Sequence, residues 1–151
     1  MRTAWVLVAG VGVMAGLACG DSGSGPQSFQ QVMCVRGTIT IGQTVNGTIA
    51  SSDCDAGDSY FESYRLNVAA DTTIDIAMSS AVLDTYLVLL RLRSGVENVD
   101  SLEVVTFDDD GGGGTNSLIS NQALLAADDY LVVANGFDYT DVGAYALTVV
   151  P

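Results

Sequence analysis

The sequence predicts an all-β domain, an antiparallel β-sandwich of jelly-roll type, and three observations carry that prediction. Short apolar runs recur at roughly ten-residue spacing, separated by Gly, Asn and Asp, as strands joined by tight turns require. Several of these runs alternate strictly, which puts every second side chain on one face. No window long enough for a helix keeps a 3.6-residue apolar period.

Taken in order, segments near 36–41, 44–50, 60–68, 72–79, 84–93, 101–107, 117–125, 129–135 and 143–150 make a sandwich of eight or nine strands. In the third, Tyr64, Leu66 and Val68 alternate against Arg65 and Asn67; in the fourth, Ile74, Ile76 and Met78 alternate against Thr73, Asp75 and Ala77. Residues 86–92 and 130–134 open apolar on both faces, as central strands do. Residues 96–105 come nearest to a helical pattern, but their valines and the preceding Ser94-Gly95 favour a hairpin leading into a strand. Tyr145, Leu147 and Val149 close the series with the same two-residue period. Each sheet is expected to bury one face against the other and to keep a polar, wet outer face.

The sandwich is assigned to residues 32–151. Ahead of it, Met1-Arg2-Thr3 is a short positive start, and residues 4–18 are apolar or small. That run suits a signal peptide over residues 1–18 and falls short of the ~20 residues of a spanning helix. Gly16-Leu17-Ala18-Cys19 ends it, and Gly, Ser, Gln and Pro then dominate residues 19–31, which read as a flexible tether. Small residues before a cysteine at this place resemble a bacterial lipobox, in which the cysteine is lipidated and becomes the first mature residue. Gly16 departs from the leucine usual there. Two readings stand: a lipoprotein of the outer membrane or cell surface held through Cys19, or cleavage near Ala18 with release to the periplasm or medium. If Cys19 carries lipid, Cys34 and Cys54 remain as an even pair, and an exported chain sits where a disulfide persists. Closing that loop stabilises the fold by about 3 kcal/mol on the chain-entropy account.

Charge narrows function further. Eighteen acidic residues face five cations, all arginine, for a net charge of −13, with no lysine and no histidine. That composition excludes Ser-His-Asp and Cys-His nucleophiles, imidazole metal sites and Schiff bases. It also excludes a nucleic-acid partner, which needs clustered cations.

Several landmarks then appear in order. They are Gly42-Gln43-Thr44-Val45-Asn46-Gly47-Thr48-Ile49; Asp58 before the aromatic strand with Tyr64-x-Leu66; Leu83-Asp84-Thr85-Tyr86-Leu87; Asp108-Asp109-Asp110 before four glycines; Leu131-Val132-Val133; and Gly143-x-Tyr145-x-Leu147. Over roughly 110 residues this series resembles the bacterial pre-peptidase C-terminal domain, a small jelly-roll-like sandwich appended to secreted enzymes. The resemblance implies the sandwich fold, an opening hairpin at residues 42–49 and an accessory role. Ala69-Ala70-Asp71 and Ala126-Ala127-Asp128 depart from the family's Ala-Gly turns, and aspartate tolerates the turn conformation. No peptidase precedes the domain in this sequence.

The sharpest local chemistry is Asp108-Asp109-Asp110 followed by glycines. Adjacent carboxylates on a freely turning backbone suit calcium, with Asp84 and Asn116 as further oxygen ligands, at the weak affinity of extracellular modules (on the order of 10⁻⁴–10⁻³ M). The alternative is a solvated turn whose aspartates cap backbone amides. The EF-hand pattern fails, because its fifth and twelfth positions counted from Asp108 are Gly112 and Ile119. Asn46-Gly47-Thr48 fits a glycosylation sequon but reads better as turn chemistry. Phe137 and Tyr139 lie in an acidic loop, where they either grip a polymer or fold back over the sandwich. The expected function is an exported, non-catalytic binding or accessory module whose partner is an envelope protein or polysaccharide. The alternatives are a calcium-stabilised accessory domain for secreted hydrolases or polymer binding, and a hydrolase using its acidic residues.

Overall fold

A computed structural model describes residues 32–92 and 102–151; the signal peptide, Cys19, the tether and the Ser94-Gly95 hairpin lie outside the described residues. Among the described residues, ten strands stack as two sheets. They are β1 (Val35–Ile39), β2 (Thr44–Ile49), β3 (Cys54–Asp55), β4 (Tyr60–Leu66), β5 (Thr72–Ser79), β6 (Thr85–Leu92), β7 (Leu102–Asp108), β8 (Ser117–Leu124), β9 (Asp129–Gly136) and β10 (Gly143–Val150). The larger sheet runs β1-β4-β9-β6-β7 with β3 added to β4, and the smaller runs β2-β10-β5-β8. All nine expected segments are strands, and the two-residue β3 is the tenth.

Period-two patterning sets the interior. Ile74, Ile76 and Met78 of β5 and Tyr145, Leu147 and Val149 of β10 face Tyr64, Leu66, Leu87, Leu89, Val132 and Ala134 of the larger sheet, all buried. Each large aliphatic side chain sealed there contributes roughly 1.5–3 kcal/mol. β6 and β9, apolar on both faces, are interior strands of the larger sheet.

Three expectations need correction. Residues 42–49 form no hairpin: β1 pairs in parallel with β4, whereas β2 pairs with β10 in the other sheet, so this stretch is a corner between sheets. Asn46-Gly47 is no turn either, because both residues lie within β2, opposite Ala146 and Tyr145. A side chain on Gly47 would occupy the space of the Tyr145 phenol, so close approach explains that glycine. Finally, the outer face of the larger sheet is not wet. Phe61, Tyr86, Val88, Leu90, Leu131 and Val133 form a second buried apolar cluster there. The outer face of the smaller sheet does match expectation, with Asn46, Thr48 and Ser79 exposed.

The Cys34–Cys54 disulfide is present, with Cα atoms 5.8 Å apart. It ties the start of β1 to β3 beside β4. The two Ala-Ala-Asp turns meet: the Ala126 amide donates to Asp71 Oδ1 at 2.9 Å.

Candidate functional site

One end of the sandwich gathers the acidic residues, and two hydroxyls build that end. Thr85, the first residue of β6, and Ser117, the first of β8, are both buried. Their hydroxyls meet at 2.7 Å; Ser117 N donates to Thr85 Oγ1 at 2.9 Å, and Ser117 Oγ donates to the Thr85 carbonyl at 2.8 Å. Thr85 N also donates to the Thr115 carbonyl at 3.0 Å. This clasp joins the sheets and brings Asp84, just before β6, against the 109–116 turn.

Within that turn the aspartates divide their work. Asp108 Oδ2 accepts from the amides of Gly111 (2.8 Å) and Leu118 (2.7 Å), so Asp108 is a turn cap. Asn116 is likewise engaged, its Oδ1 accepting from Ser80 N at 2.9 Å and its Nδ2 donating to the Gly113 carbonyl at 3.2 Å. Gly113 and Gly114 adopt φ of +89° and +68°, which only glycine takes without strain. The tight reversal leaves Asp109 and Asp110 facing Asp84.

Asp84, Asp109 and Asp110 each present a carboxylate oxygen, all within 4.8 Å of one another. Asp84 Oδ1 and Asp109 Oδ1 are buried and have no hydrogen-bond partner among the described residues; Asn135 Oδ1, on the strand beside Tyr86, is a third such atom. Burial first, and then Asp110, Asp84 and Asp108, push the Asp109 carboxyl up to about 6. Burial, Asp110, Asp141 and Asp138 also raise Asp84. The Tyr86 phenol goes up to about 12 through burial and the nearby Asp109, Asp58 and Asp108. Every group that perturbs these carboxyls is an anion, and the oxygens left over are acceptors only. Hard cations satisfy such a donor set, and calcium takes carboxylate oxygens readily. Asp84, Asp109 and Asp110 therefore fit a calcium ion, whereas Asp108 and Asn116 hold the turn that presents them.

Phe137 and Tyr139 extend the same end. Phe137 N donates to the Asp84 carbonyl at 3.0 Å, and its half-buried ring joins the outer apolar cluster. Asp141 Oδ1 accepts from Asp84 N at 3.0 Å, which locks the 137–141 loop to the acidic site. Tyr139 lies edge-on to Tyr60, ring centroids 5.1 Å apart, and its hydroxyl donates to Asp55 Oδ1 at 2.8 Å. It remains 44% exposed.

A second polar constellation escaped sequence reasoning. Glu62, only 7% exposed, accepts from Arg36 Nε at 2.9 Å and from the Tyr145 hydroxyl at 2.6 Å, and Tyr145 Oη lies 2.9 Å from Tyr64 Oη. Arg36 also pairs with buried Asp53. Burial, and hydrogen bonds to Glu62 and Tyr64, drive the Tyr145 phenol far above its usual range. One clue was legible: Glu62 occupies an inward position between Tyr60 and Tyr64 in an alternating strand. Glu62 and Tyr145 also line a shallow groove with Asn46, Thr48, Ser79 and Ser80.

No family model and no curated protein matches the sequence. Among solved structures, the pre-peptidase C-terminal domain of a collagenase from Bacillus anthracis matches with a TM-score of 0.54 and 20% identity, over 76% of this chain and 93% of that one. PliG of Aeromonas hydrophila, a periplasmic inhibitor of g-type lysozyme, matches more loosely at a TM-score of 0.45 and 15% identity, over 76% and 98%. The chain has the fold of a pre-peptidase C-terminal domain, as its landmarks implied.

Proposed function

We propose that this chain is an exported, non-catalytic accessory module of the bacterial cell envelope, anchored through a lipidated Cys19 and stabilised by calcium on Asp84, Asp109 and Asp110. One observation carries the calcium assignment: two buried carboxylate oxygens without partners converge where every neighbouring charge is negative. Export is supported by the apolar leader and by the disulfide. A non-catalytic role is supported by the lack of histidine and lysine and by the structural use of Asp108 and Asn116. The partner is an envelope protein or polysaccharide, for which the hydroxyl- and amide-lined groove and exposed Tyr139 offer contacts.

Melting the protein in millimolar calcium and then in chelator tests the cation. A ligand of the native state raises the midpoint; an unmoved midpoint removes calcium from the account. Metabolic labelling with a fatty-acid probe tests the anchor separately. Wild type should take label and Cys19→Ala should not, and equal labelling of both would end the lipoprotein reading.

A further inference from the structure

An unbroken series of contacts runs from the Cys34–Cys54 bridge to the floor of the groove. β1 lies parallel to β4, and its register steps from Val35 opposite Ser63 to Gly37 opposite Tyr64, which leaves Arg36 as an extra residue. An extra residue in a strand re-aims its side chain. Val35 packs on the outer apolar cluster, whereas Arg36 reaches Glu62, which shares the interior with Tyr64 and Tyr145. The guanidinium spans two carboxylates: Nη2 pairs with Asp53, and Nε donates to Glu62 Oε1 at 2.9 Å. Those two side chains are 5% and 9% exposed, against 45% for Arg36. Glu62 Oε2 in turn accepts from the Tyr145 hydroxyl, and so holds that phenol against Gly47 at the groove floor.

The bridge fixes this arrangement. A half-exposed cation stays on its partners only where the backbone sets the geometry, because water competes for it. Arg36 follows Cys34 by two residues, and Asp53 immediately precedes Cys54, so the cross-link sets both ends of the pair. The strand that carries Cys54 is itself only two residues long. Cys34 has a φ of +46°, a left-handed conformation that a residue other than glycine keeps only under outside constraint. Both cysteines are half-buried, within reach of a small dithiol.

We propose that the Cys34–Cys54 bridge is a redox latch on the groove. Closed, it keeps Arg36 across Asp53 and Glu62, and Glu62 keeps the Tyr145 phenol in place. A dithiol reductant opens it by exchange: the S–S bond breaks, Cys34 and Cys54 become thiols, and the two thiols of the reductant become a disulfide. Cys34 then relaxes from its left-handed conformation, Arg36 moves into solvent, and Glu62 and Tyr145 come free into the groove. Oxidation reverses each step and sets the groove in its closed form. What this does to binding rests on the groove as a contact surface; the latch itself does not.

Nitration of tyrosine by tetranitromethane, mapped by peptide mass spectrometry on the chain made with its own leader, reads the latch without any partner. In wild type, exposed Tyr139 should be nitrated, and buried Tyr64, Tyr145 and Tyr130 should resist. In Cys34→Ser/Cys54→Ser, nitration of Tyr64 and Tyr145 should rise about tenfold or more, as expected of local opening. Tyr130, whose hydroxyl accepts from Leu125 N away from this network, should stay protected. Arg36→Met, with the bridge intact, should expose the same two tyrosines. Wild-type protection of Tyr64 and Tyr145 in either variant would overturn the latch. Equal nitration of Tyr130 would overturn it too, since the whole fold rather than one contact series would then have opened.

Discussion

Removing one negative charge from the acidic end should stabilise the calcium-free protein, and Asp109→Asn is the variant that shows it. The folded-state carboxyl of Asp109 titrates at about 6 against an ordinary 3.8. Between those values the folded chain holds a proton at Asp109 that the unfolded chain has lost, so this group's contribution to stability is fully present below about 4 and is lost as pH rises through about 6. A displacement of that size, about two pH units, corresponds to roughly 3 kcal/mol at full strength. Asp109 is only partly buried, and screening by solvent and salt reduces this to about 1 kcal/mol. At pH 7 in chelator, Asp109→Asn should melt roughly 3–6 °C above wild type, and near pH 4 the two should converge. Calcium should raise the wild-type midpoint and leave the variant behind. Differential scanning calorimetry at both pH values, with and without calcium, measures all of this. A variant less stable than wild type at pH 7 in chelator would refute the claim that these charges are confined against one another.

Other expectations follow from the same contacts. Reducing Cys34–Cys54 should cost about 3 kcal/mol, read as a lower denaturation midpoint in urea with reductant. Tyr145→Phe deletes the 2.6 Å hydrogen bond to Glu62 and should cost about 1.5–3 kcal/mol by urea titration, because the acceptor is a buried carboxylate. Gly47→Ala drives a methyl into the Tyr145 phenol and should destabilise by about 1–3 kcal/mol. Gly37→Ala, with nothing within 4 Å of the added carbon, serves as its matched control and should leave the midpoint within about 0.5 kcal/mol of wild type.

Local patterning reached some features of the molecule and not others. Alternation at Thr73, Ile74, Asp75, Ile76, Ala77 and Met78 identified β5 because burial on one face imposes it directly. The two-faced runs in β6 and β9 pointed to interior strands for the same reason. Pairing partners were not legible: that β1 lies parallel to β4 while β2 crosses to β10 depends on contacts between residues far apart in sequence. Gly47 illustrates the limit, since Asn-Gly reads as a turn until Tyr145, nearly one hundred residues away, claims its space. At the acidic turn, sequence supplied Asp84, Asp108, Asp109, Asp110 and Asn116 as one set. Only geometry separates Asp108 and Asn116, spent on amides of the turn and of Ser80, from the three carboxylates that converge. Thr85 and Ser117, which assemble that end, carry no local pattern at all.

Terbium luminescence tests the cation site most directly. The ion takes oxygen donors as calcium does, and Tyr86, whose phenol feels Asp109, is placed to sensitise it. Excitation of tyrosine in wild type should give terbium emission that saturates, is displaced by excess calcium, and disappears when Asp84 and Asp109 are both changed to asparagine. Equal emission from that double variant, or none from correctly folded wild type, would contradict the assignment.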